Sequence, residues 1–219
     1  MKKRFLKNSL LFTTMSCLVI TSCNNKPAIK QSTQQNMNAV TKTIENMQSA
    51  YKGEKTATAK YEAFAKKADE EGYHNIAILY TAVSAAENIH ARNHQAVIED
   101  AGSTVAIITP DYKVKTTKEN LSDDIDGEAY EAKTMYPDFL KTAEAADNQI
   151  ASLSLIYAMK TELKHNAFFK QALANINSNS SKNLPSIYFV CPDCGNTYTT
   201  APKHCDFSLT EREKFIVFQ

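Results

Sequence analysis

The amino-acid sequence predicts a mainly α-helical protein, a four-helix bundle followed by a small C-terminal metal module. Three features lead there. Long segments between residues 40 and 175 repeat apolar residues at three-and-four spacing, the period of a helix with one buried face. Two short turns and one long connection divide them into four. Beyond residue 184 the period disappears, and three cysteines and recurring aromatics take its place.

The first residues read as an export signal. MKKRFLKN is basic, SLLFTTMSCLVI is apolar but short for a membrane span, and small residues precede Cys23. The run Val19-Ile20-Thr21-Ser22-Cys23 resembles a bacterial lipoprotein box, with residues 1–22 removed and Cys23 lipidated. Residues 23–38 are then a polar tether, and the protein is expected at the cell envelope, anchored by lipid without spanning the membrane. Removing the signal takes away Lys2, Lys3, Arg4 and Lys7 and no acid, so the formal charge falls from +1 to −3. No arginine-rich stripe marks a nucleic-acid partner. Cys17 leaves with the signal. The three cysteines left besides Cys23 form an odd, clustered set, which suits a metal or a lone CxxC disulfide better than a disulfide framework.

The bundle is expected over residues 39–176. Its first helix, from about Val40 to Glu71, turns inward Met47, Ala50, Glu54, Ala57, Tyr61, Phe64 and Ala68 and stops at Gly72. The second, about Asn75 to Asp100, buries Ile76, Leu79, Val83, Glu87, His90 and Val97, and Gly102 ends it. A long crossover leads to a third helix, expected to start at a cap on Ser122 or Asp123. That helix carries Ile125, Glu128, Glu131, Met135 and Phe139, with a kink at Pro137. The fourth, about Asp147 to Asn175, steps through Ala151, Leu155, Ala158, Glu162, His165, Phe169 and Ala172. Two short turns and one crossover describe a ferritin-like bundle. Residues 177–184 are a polar linker, and residues 185–219 the module.

Each buried stripe carries a carboxylate where an apolar side chain belongs: Glu54, Glu87, Glu128 and Glu162. A buried, unpaired carboxylate costs several kcal/mol or takes up a proton. Four at one depth call for a shared partner, and a pair of divalent metals is the natural one. Glu87-Asn88-Ile89-His90 and Glu162-Leu163-Lys164-His165 are both ExxH, which sets carboxylate and imidazole on one helix face. With 14 Glu and 5 His in 219 residues, chance supplies fewer than one such pair. Two of them, with a single glutamate from each remaining helix, match the pattern of di-iron and di-manganese carboxylate bundles. Glu131 is a further inward carboxylate, either a polar residue at the bundle edge or a fifth carboxylate for one iron, and Tyr61 and Tyr136 are either core tyrosines or hydroxyl partners of metal-bound carboxylates. His94, a turn beyond His90, reads as a neighbour of the site rather than a ligand.

Taken together, GEKTATAKYEAFAKKADEEGY, the two ExxH motifs, GEAYEAKTMYP and the terminal CPDCG resemble the rubrerythrin family over nearly the whole mature chain. The resemblance implies di-iron ligands at Glu54, Glu87, His90, Glu128, Glu131, Glu162 and His165, with Tyr61 and Tyr136 beside them. It implies that one iron moves between Glu131 and His90, and that hydrogen peroxide is reduced to water as a defence against oxidative stress. Electrons then arrive from an unknown donor through a one-iron, rubredoxin-like module, in homodimers that bring one chain's module to the other's di-iron centre. The module departs from the family. Cys191, Cys194 and Cys205 match three thiolate ligands, Ser208 replaces the fourth, and Leu209 replaces the glycine after it. Three outcomes are open: iron with Ser208 as an alkoxide ligand, zinc held with Ser208, His204 or water, or an empty site with Cys191 and Cys194 oxidised. The damaged module also leaves a second function open, a ferroxidase or iron-sequestering bundle with impaired electron delivery.

Overall fold

The computed structural model describes residues 26–219, with side chains from residue 36 onward. The signal segment and Cys23 lie outside the described residues. Five α-helices form the bundle: α1 Lys26–Glu70, α2 His74–Asp100, α3 Thr117–Tyr130, α4 Tyr136–Ala145 and α5 Gln149–Asn177. The third bundle rod is α3, a π-helical turn Glu131–Met135, and α4 run together. Among the described residues no helix is long and apolar enough to cross a membrane.

Three boundaries differ from the sequence expectation. α1 begins at Lys26, so helix runs through most of the stretch read as a tether. That stretch has no glycine, holds glutamine and lysine, which favour helix, and carries its one proline in the first turn, where proline is tolerated. α3 begins earlier than Ser122 because Thr116 and Glu119 form a reciprocal capping box, each side chain bonding the other residue's backbone N–H. The irregularity expected at Pro137 falls just before it, as the π turn, and Pro137 itself sits in the first turn of α4. The glycine stops behave as expected: Gly72 and Gly102 have φ of +81° and +74°, and the next residue's N–H bonds five residues back, from Tyr73 to Ala68 and from Ser103 to Ile98.

The inward stripes are buried as the periodicity demands, and they divide the core in two. One apolar cluster gathers Tyr61, Phe64, Ile76, Leu79, Tyr80, Leu121 and Phe169. The other gathers Met47, Ala50, Val97, Ile98, Tyr136, Ala151 and Leu155. The buried glutamates and histidines lie between the two along every rod, so the bundle is two apolar layers enclosing one polar band.

The C-terminal module is a three-stranded antiparallel sheet in the order β2-β1-β3, from β1 Tyr188–Val190, β2 Thr197–Tyr198 and β3 Ile216–Phe218. Tyr188 and Val190 join the first apolar cluster, which seats the sheet against the bundle. The Asn75 amide donates to the Leu184 carbonyl (2.8 Å), and the Asn93 amide to that of Asp193 (2.8 Å). The module rests on the bundle of its own chain.

Candidate metal centre

The four carboxylates and two imidazoles expected from the sequence converge. Glu54 comes from α1, Glu87 and His90 from α2, Glu128 from α3, and Glu162 and His165 from α5, all within 3 % of full burial. They fall into two groups whose ligand atoms lie within 4.8 Å of one another: Glu54, Glu87, His90 and Glu162, and Glu87, Glu128, Glu162 and His165. Glu87 and Glu162 belong to both. Glu87 sets one oxygen 2.9 Å from His90 Nδ1 and the other 3.1 Å from His165 Nδ1. Glu162 mirrors it, 2.9 Å from His165 Nδ1 and 3.1 Å from His90 Nδ1. Each ExxH carboxylate therefore reaches across the pair while each imidazole belongs to one side.

The electrostatics fit a cation pair. Burial opposes a charge on every one of these groups. At Glu54 it is outweighed by His90 and His94, which hold the carboxyl well below its usual range. Burial would also raise Glu128, and there His165, Glu162 and Tyr61 outweigh it. Glu87 and Glu162 go up, Glu87 through burial and Glu54, Glu162 through burial and Glu87. Burial lowers both histidines, but Glu162 and Glu54 raise His90 well above its usual range, and Glu87 and Glu128 do the same for His165. Glu162 Oε1 and Glu128 Oε2 are buried without a hydrogen-bond partner, the orphaned acceptors a metal would satisfy. The residues fit two divalent ions.

The tyrosines sit where expected. Tyr61 donates across the bundle to Glu128 Oε1, and Tyr136 to Glu54 Oε1, each phenol fixing one of the two unshared carboxylates. The π turn makes the second contact possible. Glu128 and Tyr136 are eight positions apart, whereas two α-helical turns take about seven residues; the extra residue is absorbed by the π turn, so both face the band. Glu131 lies on that turn. It is partly exposed and stands outside both groups, its carboxyl held well above the usual range by burial and by Glu54, Glu128, Glu162 and Glu87.

Other residues complete the surroundings. His94 is fully buried, with Nδ1 2.8 Å from Ser154 Oγ and Nε2 3.3 Å from the Tyr136 hydroxyl. Burial lowers its pKa, and its ring supports the Tyr136–Glu54 pair. Asp124, one turn before Glu128, was invisible as a partner in the sequence. It is buried, accepts from Tyr80 (2.8 Å), and pairs with Lys60 (2.9 Å), whose side chain is a quarter exposed. The outer nitrogens of both histidines face the module: His165 Nε2 lies 3.2 Å from Thr197 Oγ1, and Gly195 lies against His90.

In the module Cys191, Cys194 and Cys205 are buried free thiols with their sulfurs within 4.8 Å of one another. The Cys191–Cys194 disulfide considered above is absent, and His204 is exposed and outside the cluster. Ser208 Oγ lies 3.2 Å from Cys191 Sγ. The second knuckle keeps its turn despite losing glycine: Leu209 has φ +62° beside +76° at Gly195. A left-handed residue with a Cβ costs roughly 1–2 kcal/mol. Three buried sulfurs suit a third metal ion.

The comparisons agree with this geometry. The rubrerythrin family model matches residues 45–173. The chain is 31% identical over 180 residues to rubrerythrin-2 of Clostridium acetobutylicum, covering 80% of this chain and 96% of that one. It is 34% identical over 182 residues to nigerythrin of Nitratidesulfovibrio vulgaris, covering 77% and 85%. A mixed-valence nigerythrin structure superposes with a TM-score of 0.73 at 29% identity over 80% of this chain and 86% of that one. A bacterioferritin from Desulfovibrio desulfuricans, at 19% identity and a TM-score of 0.60 over 67% and 86%, shares the ferritin-like fold. With its two ExxH motifs, two unshared glutamates and three-cysteine module, the chain belongs to the rubrerythrin family of di-iron proteins.

Proposed function

We propose that the protein is a di-iron peroxidase that reduces hydrogen peroxide to water, working at the cell envelope through the lipid anchor read at Cys23. The observation that carries the chemistry is the double membership of Glu87 and Glu162, which holds two metal positions side by side. Two bound ferrous ions would supply together the two electrons of H2O2 + 2H⁺ + 2e⁻ → 2H2O. The protein's own residues do the rest. Glu54 and Glu128 are the unshared carboxylates, held by Tyr136 and Tyr61 so that neither swings away when charge in the band changes. His90 and His165 close the two outer positions and are braced by the module. Glu131, outside both groups, is the reserve carboxylate: burial and the neighbouring glutamates oppose its charge, and it can turn inward when positive charge in the band rises. The apolar layers on either side exclude bulk water from the band.

Steady-state peroxide consumption by the iron-loaded protein with an artificial reductant tests this reading. Consumption should be catalytic in protein and should collapse in Glu162→Ala. If the loaded protein instead oxidises and retains added ferrous iron well beyond its own sites without consuming peroxide catalytically, iron sequestration is the better reading.

A further inference from the structure

We propose that Ser208 supplies the fourth ligand of the module's metal site through its hydroxyl oxygen, and that Thr210 and Asp193 hold it in position for that role. The two knuckles of the module are copies of one turn. Gly195 N–H bonds Cys191 O (2.9 Å) and Leu209 N–H bonds Cys205 O (3.0 Å). Cys191 N–H then bonds Asn196 O (3.0 Å), as Cys205 N–H bonds Thr210 O (2.8 Å). In that repeat Ser208 occupies the place of Cys194. The second turn is kept with Leu209 left-handed and its side chain exposed, so the backbone still delivers residue 208 to the sulfurs.

The hydroxyl protons decide what Ser208 presents. A hydroxyl has a single hydrogen, and an ionised carboxylate only accepts. Thr210 Oγ1 donates to Asp193 Oδ2 (2.6 Å). The 2.6 Å contact between Ser208 Oγ and Thr210 Oγ1 must therefore use the hydrogen of Ser208. With that hydrogen given to Thr210 along the chain Ser208, Thr210, Asp193, the Ser208 oxygen keeps its lone pairs free 3.2 Å from Cys191 Sγ, while Thr210 Oγ1, also 3.3 Å from that sulfur, is already engaged with Asp193 and Ser208. Three sulfurs and one such oxygen make a four-donor set, harder than four thiolates. The inference concerns the module alone and stands whether or not the bundle reduces peroxide.

Cobalt(II) is the probe, titrated without oxygen into the metal-free full-length chain. Thiolate-to-cobalt charge transfer separates the module from the bundle site, which has no sulfur. The wild-type protein should show a tetrahedral ligand field, and Ser208→Cys should shift it to lower energy and tighten binding. Ser208→Ala should weaken binding by about 10-fold or more, and Thr210→Val by about 10-fold, with recovery in Thr210→Ser. In the Ser208→Cys background Thr210→Val should cost little, since the thiolate does not need the relay. Equal affinity and an identical spectrum in Ser208→Ala overturn the proposal. Should Ser208→Ala fail to fold, an unshifted spectrum in Ser208→Cys overturns it just as directly.

Discussion

Gly195 of the module packs against the imidazole of His90, so closely that a Cβ at Gly195 would stand 2.5 Å from His90 Nε2 and 3.1 Å from the Ala86 carbonyl. The residue beside a sulfur ligand of one site thus touches a ligand of the other. Gly195→Ala should lose about 1–2 kcal/mol from the left-handed backbone alone, and more from the contact. Gly53→Ala is the control: it sits in α1 with nothing within 4 Å of the added carbon, and should gain roughly 0.5–1 kcal/mol. Thermal unfolding of both variants checks the pair, and a neutral Gly195→Ala would contradict the docking.

The shared carboxylates make a second expectation. Glu162 serves both four-residue groups, Glu54 only one. After anaerobic iron loading and desalting, Glu162→Ala should retain almost no iron in the bundle, whereas Glu54→Ala should keep one position substantially filled. Equal losses in the two variants would mean the groups are not bridged.

Asp124 gives a pH dependence whose sign can be worked out. Burial pushes its carboxyl up to about 6 from 3.8, despite the opposing Lys60 and Tyr80. Between those values the folded chain keeps a proton that the unfolded chain releases. This contribution to stability is full below about pH 4 and is lost as pH rises through about 6, up to roughly 3 kcal/mol. Asp124→Asn, which cannot ionise, should remove that slope. Denaturant titrations of both proteins across the window decide it, and parallel curves would contradict it.

The convergence of these residues was legible because each of Glu54, Glu87, Glu128 and Glu162 breaks an apolar stripe, and each ExxH lies within one helical turn. The start of α3 was also legible in principle. Thr116-Thr117-Lys118-Glu119 is a capping-box sequence, its cap six residues before Ser122, and Ser122 and Asp123 also have capping side chains. The π turn was not. A one-residue insertion appears only when Glu128 and Tyr136 are required to face the same partner. Contacts between residues far apart in the chain left no periodic trace: Asp124 with Lys60 and Tyr80, His94 with Ser154, Thr197 with His165. Those depend on how the rods rotate against one another and on where the module docks.

Delivery of two electrons at once to peroxide by the paired site is the proposed function of the bundle. The most direct measurement is stopped-flow oxidation of the fully ferrous protein by one equivalent of hydrogen peroxide, set beside oxidation by the same concentration of dissolved oxygen. Peroxide should oxidise both irons in one phase, faster than oxygen by an order of magnitude or more. Oxidation by oxygen at the same rate or faster would contradict the account and turn the bundle toward iron handling.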